Sequence, residues 1–148
     1  MHCRRLFCYG TLVYPQVMAR ITGRWWVPVP ARLPGYAAYR LRGVPYPGLV
    51  EEAGAQTEGV LYEGLTRHHL RMLDRYEGAW YRRQLVRLAD GGRAWAYVLV
   101  PAARHRLETR RWEPGTAVGG GMPARWLARL SRTPVPAGGP VPVPGPGP

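Results

Sequence analysis

One carboxylate, Glu77, closes the helix-like stretch Leu73-Asp74-Arg75-Tyr76-Glu77-Gly78, and Trp80 and Tyr81 follow almost at once. About 65 residues earlier, an apolar run breaks into Tyr9-Gly10-Thr11-Leu12. The two segments offer the two halves of an acid/base site. On a helical wheel of about 100° per residue, Leu65, Met72, Leu73 and Tyr76 gather into a core stripe with Glu77 at its margin. The last helical turn places a carboxylate at the negative end of the dipole, and the aromatics beyond it lower water access. Marginal burial, dipole and aromatics all disfavour ionisation, and a glutamate moved towards neutrality can both take and return a proton. The glycine turn offers backbone N–H groups, aided by the Thr11 hydroxyl, that can cradle a carboxylate or a developing oxyanion. Plainer alternatives exist for both. Glu77 can be a rim residue paired with Arg82 or Arg83, and Gly10 can simply supply a positive-φ turn.

The elements needed to hold these residues are legible in outline. Leu6-Phe7-Cys8 reads as a short buried strand ending at Gly10. Pro15 to Ile21 suits one or two helical turns, with Pro15 near the start and Gly23 past the end. From Trp25 to Leu65 the chain is rich in Val, Tyr, Trp, Pro and Gly. Turn signals at Pro34-Gly35, Pro47-Gly48 and Gly54 predict several short strands there, Gly59 to Tyr62 being the clearest. Thr66 can cap a helix that Gly78 ends. Tyr81 to Ala89 and Arg93 to Val100 flank Asp90-Gly91-Gly92, a hairpin signal. Gly119-Gly120-Gly121 precedes a further short helix, Pro123 to Leu130. With no strand–helix alternation, the pattern predicts an α+β domain over residues 1–132 with a small mixed, barrel-like sheet and a few short helices. It excludes a doubly wound nucleotide-binding fold. Of the last sixteen residues, Thr133 to Pro148, eleven are Pro or Gly, which predicts a disordered tail.

Composition removes several function classes. The formal charge is +12, yet all 21 basic residues are Arg, Lys and Asn are absent, and Ile and Phe occur once each. That bias matches a GC-rich coding sequence, and the arginines are scattered from Arg4 to Arg132, so a nucleic-acid partner is not expected. Cys3 and Cys8 would stand about 16 Å apart on one strand, whereas a disulfide needs Cα atoms within roughly 7 Å. Two free thiols in a reducing, cytoplasmic setting are expected. No signal-like apolar core and no run of about 18 apolar residues points to a membrane. His68 and His69 are adjacent on the helix and point about 100° apart, so they cannot act as an i, i+4 metal pair. The triple glycine lacks the Lys and Ser/Thr of a phosphate loop. The only serine is Ser131. Cys8, within the apolar strand, reads as a packed thiol.

Several motifs stand in a fixed order: FCYGTL from Phe7, LPGY at Leu33 to Tyr36, YPGLV at Tyr46 to Val50, GVLYEGL at Gly59 to Leu65 and LDRYEGAWYRR at Leu73 to Arg83. In that order the chain, over about residues 5 to 112, resembles γ-glutamylcyclotransferase-like proteins, in particular their AIG2-like branch. The resemblance implies a small mixed α+β barrel. It also implies cyclisation of a γ-glutamyl amine or amide to 5-oxoproline with release of the free amine, without metal or cofactor. The family's catalytic glutamate falls on Glu77 and its substrate-holding loop on Tyr9, Gly10, Thr11 and Leu12. Tyr81 and Arg82 are candidates for shaping the pocket or meeting a substrate carboxylate and receive no role. The chain departs from the family pattern after Leu12, where an Arg and an Asn are often found, and at Glu113-Pro114-Gly115. A non-catalytic module that binds a small molecule or peptide on the same barrel is the alternative.

Overall fold

The computed structural model describes residues 3–112. The expected helix at Pro123 to Leu130, the triple-glycine segment and the tail from Thr133 lie outside the described residues. After the charged Arg4-Arg5, three apolar residues form β1 (Leu6–Cys8), buried throughout. Burial on both faces requires neighbours on both edges, and β1 has them. It pairs antiparallel with β3 (Pro47–Tyr62) and parallel with β5 (Arg93–Leu99). With β2 (Val29–Leu41), β4 (Tyr81–Arg87) and β6 (Leu107–Arg111), these make one six-stranded mixed sheet, ordered β4-β5-β1-β3-β2-β6. The sheet curls into a half-barrel, the α+β architecture expected from the sequence.

Strand alternation divides the core into two layers. Leu6 and Cys8 face the helices α1 (Pro15–Thr22) and α2 (Arg67–Glu77), whose Val17, Met18, Leu70 and Leu73 are buried. Phe7 and Tyr9 face the opposite layer with Leu33, Leu49, Leu61 and Val98. At a typical 1.5–3 kcal/mol for each large apolar side chain removed from water, packing on both sides is what fixes β1 and the turn that follows it.

Both helices begin and end where the sequence indicates. Pro15 opens α1, and Gly23, in the left-handed region at φ 81°, closes it. Thr66 caps α2: its hydroxyl accepts from the His69 backbone N–H, while the His69 ring accepts from the Thr66 backbone N–H. Gly78 ends α2 and leaves Glu77 as its last residue.

The region from Trp25 to Leu65 departs from expectation. It holds two long strands rather than several short ones, because two of its glycine signals are not chain reversals. Gly35 and Gly54 take positive φ inside the β2–β3 ladder, where the register slips between Pro34 and Tyr36. An irregularity of this kind bends a hairpin and helps a sheet curl without cutting its strands. Pro47-Gly48 is the start of β3 and not a turn of its own. Both cysteines are free, but only Cys8 is on β1; Cys3 precedes it. Trp26 is buried, donating to the Thr22 hydroxyl at 2.9 Å, while Trp25 is exposed. No helix among the described residues is long and apolar enough to cross a membrane.

Candidate active site

After β1 the chain turns through Tyr9 and Gly10 into a short 3-10 turn, Thr11–Val13, entirely buried. Within it, the Val13 N–H donates to the Gly10 carbonyl and the Tyr14 N–H to the Thr11 carbonyl. The N–H groups of Thr11 and Leu12 have no backbone acceptor among the described residues, as befits the first positions of such a turn. Gly10 is not there for positive φ, since its φ is −114°. Its reason is close approach: a Cβ at Gly10 would lie 3.1 Å from Cδ of Pro47. The missing side chain lets β3 close over the turn.

α2 brings its last residue to the same place. A small, partly open cavity is lined by Tyr9, Gly10, Thr11, Leu12 and Glu77. All five residues singled out from sequence therefore meet around one hollow. Tyr46, Tyr81 and Tyr97 complete much of its wall, with the Pro47 ring beside Gly10. Sequence reasoning passed over Tyr46, Pro47 and Tyr97, although YPGLV contains the first two. Tyr81 lines the cavity, whereas Arg82 is exposed and borders a neighbouring hollow with Asp74 and Arg83.

The wall is held by hydroxyls that are already engaged. Tyr9 donates to the Tyr97 carbonyl at 2.6 Å, Tyr62 to the Leu12 carbonyl at 2.7 Å, and Tyr81 to the Pro47 carbonyl. The Thr11 hydroxyl meets the Tyr76 hydroxyl at 3.0 Å. That contact ties the turn to α2 one residue before Glu77, and a Thr11 hydroxyl that accepts from Tyr76 keeps its own hydrogen for a neighbouring anion.

Glu77 is the chemically unusual member. None of the ion pairs among the described residues includes it, so it is not the rim partner of Arg82 or Arg83. Part of its surface is accessible through the cavity, yet protein surrounds its carboxyl closely. Burial pushes that carboxyl up to about 8, and the negative charge of Asp74, three residues earlier on α2, adds to the effect. The surrounding groups respond in turn. Burial first, and then the Glu77 charge, raises Cys8, Tyr9 and Tyr76 above their ordinary values. Cys8 is thereby an inert, packed thiol.

Asp74 itself is fixed. Arg83 grips it with two bonds, 2.9 Å to Oδ1 and 3.2 Å to Oδ2, and the Tyr97 hydroxyl donates to Oδ1 at 2.7 Å. The fork geometry holds the orientation of Asp74 beside Glu77. Chemically, the cavity is lined by one carboxyl able to exchange a proton near neutral pH, by Thr11 and Leu12, whose N–H groups have no backbone acceptor among the described residues, and by a tyrosine wall. No group of three or more His, Cys, Asp or Glu among the described residues could hold a metal ion.

Comparison with known proteins bears on the family and the fold. The family described as "Gamma-glutamyl cyclotransferase, AIG2-like" matches residues 6–114. An Arabidopsis thaliana protein named Protein AIG2 C is 37% identical over 81 residues, 55% of this chain and 49% of its own length. The chain spans about half the length of the first such Arabidopsis relatives it matches. A solution structure of an Arabidopsis thaliana protein superposes with a TM-score of 0.65 at 30% identity, covering 76% of this chain and 71% of that one. A structure titled gamma-glutamyl cyclotransferase superposes with a TM-score of 0.54 at 16% identity, over 67% and 68% of the two chains, a likeness of fold. With motifs in family order, the shared half-barrel and a match across most of its length, the chain belongs to the AIG2-like γ-glutamyl cyclotransferase family.

Proposed function

We propose that this protein cyclises the γ-glutamyl group of an amine or amide to 5-oxoproline and releases the free amine, with Glu77 as general acid and base. The observation that carries this is the meeting, in one small cavity, of the raised Glu77 carboxyl with Thr11 and Leu12, whose N–H groups have no backbone acceptor among the described residues. As carboxylate, Glu77 takes a proton from the substrate α-ammonium. The freed nitrogen attacks the γ-carbonyl carbon of the same molecule, and the new C–N bond closes a five-membered ring. The carbonyl oxygen becomes an oxyanion facing the turn amides. When the tetrahedral centre collapses, the bond to the leaving amine breaks, protonated Glu77 returns its proton to that nitrogen, and the ring nitrogen gives up its second proton, which departs with the amine as an ammonium ion. The carboxylate is regenerated.

Electrons and protons balance without a co-reactant, and the nucleophile is already tethered to its target, which removes the entropy of bringing two molecules together. The raised carboxyl suits both half-steps, since a base must be strong enough to deprotonate an ammonium and its conjugate acid must then give the proton back. The tyrosine wall restricts water and favours the intramolecular nucleophile.

The test is incubation of the purified protein with a panel of γ-glutamyl amines and γ-glutamyl peptides, with 5-oxoproline quantified by mass spectrometry. Release by the parent and loss of at least about 100-fold in Glu77→Gln are expected for removal of a general acid–base group. Undiminished turnover in that variant would remove Glu77 from the mechanism. Tight binding with no turnover across the panel would mark a binding module instead.

A further inference from the structure

At the opposite end of α2 from Glu77, the helix start and the face of β4 and β5 border an open groove with about 1780 Å³ of empty space, its solvent side included. Five arginines line it, Arg4, Arg67, Arg71, Arg83 and Arg93, and no Asp or Glu is among its twelve lining residues. Composition alone does not produce this, because arginine makes up 21 of 148 residues in the chain and five of twelve here. A coding bias fixes how many basic residues are Arg, not where folding gathers them.

The floor is different in kind. Leu85 and Trp95 are cross-strand partners, and Leu85 is 41% exposed. Arg83 lies over the Trp95 ring, 4.3 Å from its centroid, while holding Asp74. Its charge is therefore partly spent, and with Trp95 it forms a flat stacked surface. The ion pairs among the described residues involve Arg5, Arg83 and Arg111, so Arg4, Arg71 and Arg93 face the groove with no carboxylate partner there.

We propose that this groove binds single-stranded nucleic acid. Arg4, Arg71 and Arg93 meet the phosphates, and bases lie against the Leu85–Trp95 floor. An alternation of repeated negative charge and apolar flat faces is what a single strand presents and what this groove complements. A duplex keeps its base faces stacked inside and cannot use a recessed apolar floor. The excess charge of the whole chain, +12, extends attraction past the groove and suits a ligand charged along its length.

The experiment uses the full chain and a labelled, mixed-sequence single-stranded RNA of about ten nucleotides, with binding read by fluorescence anisotropy across salt. Three neutralised phosphates give a slope of log affinity against log salt of about −2, so a fourfold rise in salt weakens binding about 20-fold. In Arg71→Gln/Arg93→Gln the slope falls to about −0.7. Arg40→Gln/Arg110→Gln, which removes equal charge at the β2–β6 side of the sheet, keeps the parent slope. An abasic strand of equal length binds at least about fivefold more weakly if a base stacks on the floor. Equal losses in the two double variants would overturn the proposal, as would tighter binding of a polyglutamate peptide or of duplex RNA. Glu77→Gln is expected to bind the strand like the parent, which separates this proposal from the cyclisation chemistry.

Discussion

Replacing Glu77 by Gln should stabilise the protein, and by an amount that depends on pH. The folded carboxyl titrates near 8, against an ordinary value of 4.5, chiefly because it is buried. The unfolded chain therefore carries fewer protons on this group than the folded one at any pH between those values. Stability falls as pH rises through that window, and the sign is opposite to that of a salt-bridged carboxylate. At 1.36 kcal/mol per pH step, the ionised folded form is disfavoured by on the order of 5 kcal/mol above pH 8. Gln is nearly isosteric with the protonated acid and never ionises. Below about pH 4.5, parent and Glu77→Gln should unfold at the same urea concentration. Above about pH 8 the variant should be more stable by several kcal/mol, a large share of the 5–15 kcal/mol typical of a domain. Urea titrations followed by tryptophan fluorescence at a series of pH values read this difference directly. A gap that stays constant from pH 4 to pH 9, or one that favours the parent at high pH, would refute a buried, uncompensated carboxyl.

Other consequences follow from neighbouring residues. Asp74→Asn removes the negative charge that helps to hold Glu77 protonated, so the ascending limb of kcat/KM for 5-oxoproline release should move to lower pH; an unmoved limb would deny the coupling. Gly59→Ala would place a Cβ 2.1 Å from the Cys8 carbonyl oxygen. Forcing β3 away from β1 should cost about 3 kcal/mol or more, seen as a fall in Tm. Thr66→Ala deletes the α2 cap and should cost about 1 kcal/mol by urea unfolding.

The parts of the fold that were legible in the sequence are those with local causes. Thr66 and Gly78 bound α2, Pro15 and Gly23 bound α1, and Asp90-Gly91-Gly92 turns the β4–β5 hairpin, each through chemistry confined to a few residues. Glu77 could be singled out because its own helix placed it at the core margin. Tyr46 and Tyr97 could not, since Tyr46 reaches the cavity from the bend before β3 and Tyr97 from β5, both far along the chain, and no local period tells which tyrosine of a β-rich segment faces inward. Gly35 and Gly54 misled for a related reason. A positive-φ glycine looks the same in sequence whether it reverses the chain or bends a continuing strand. Gly10 lines the cavity, but the reason for a glycine there is the Pro47 ring, which only tertiary packing brings near. The Arg4, Arg71 and Arg93 cluster was invisible because scatter along the chain says nothing about distance in space.

The most direct measurement on the cavity is a carbon-13 NMR titration of the protein labelled at the glutamate side-chain carboxyls, with the Glu77 resonance assigned by its disappearance in Glu77→Gln. A Glu77 midpoint near 8 is the expected result. A midpoint near 4.5 would show a carboxyl bathed in water, unable to hold and return a proton near neutral pH, and would contradict the proposed chemistry.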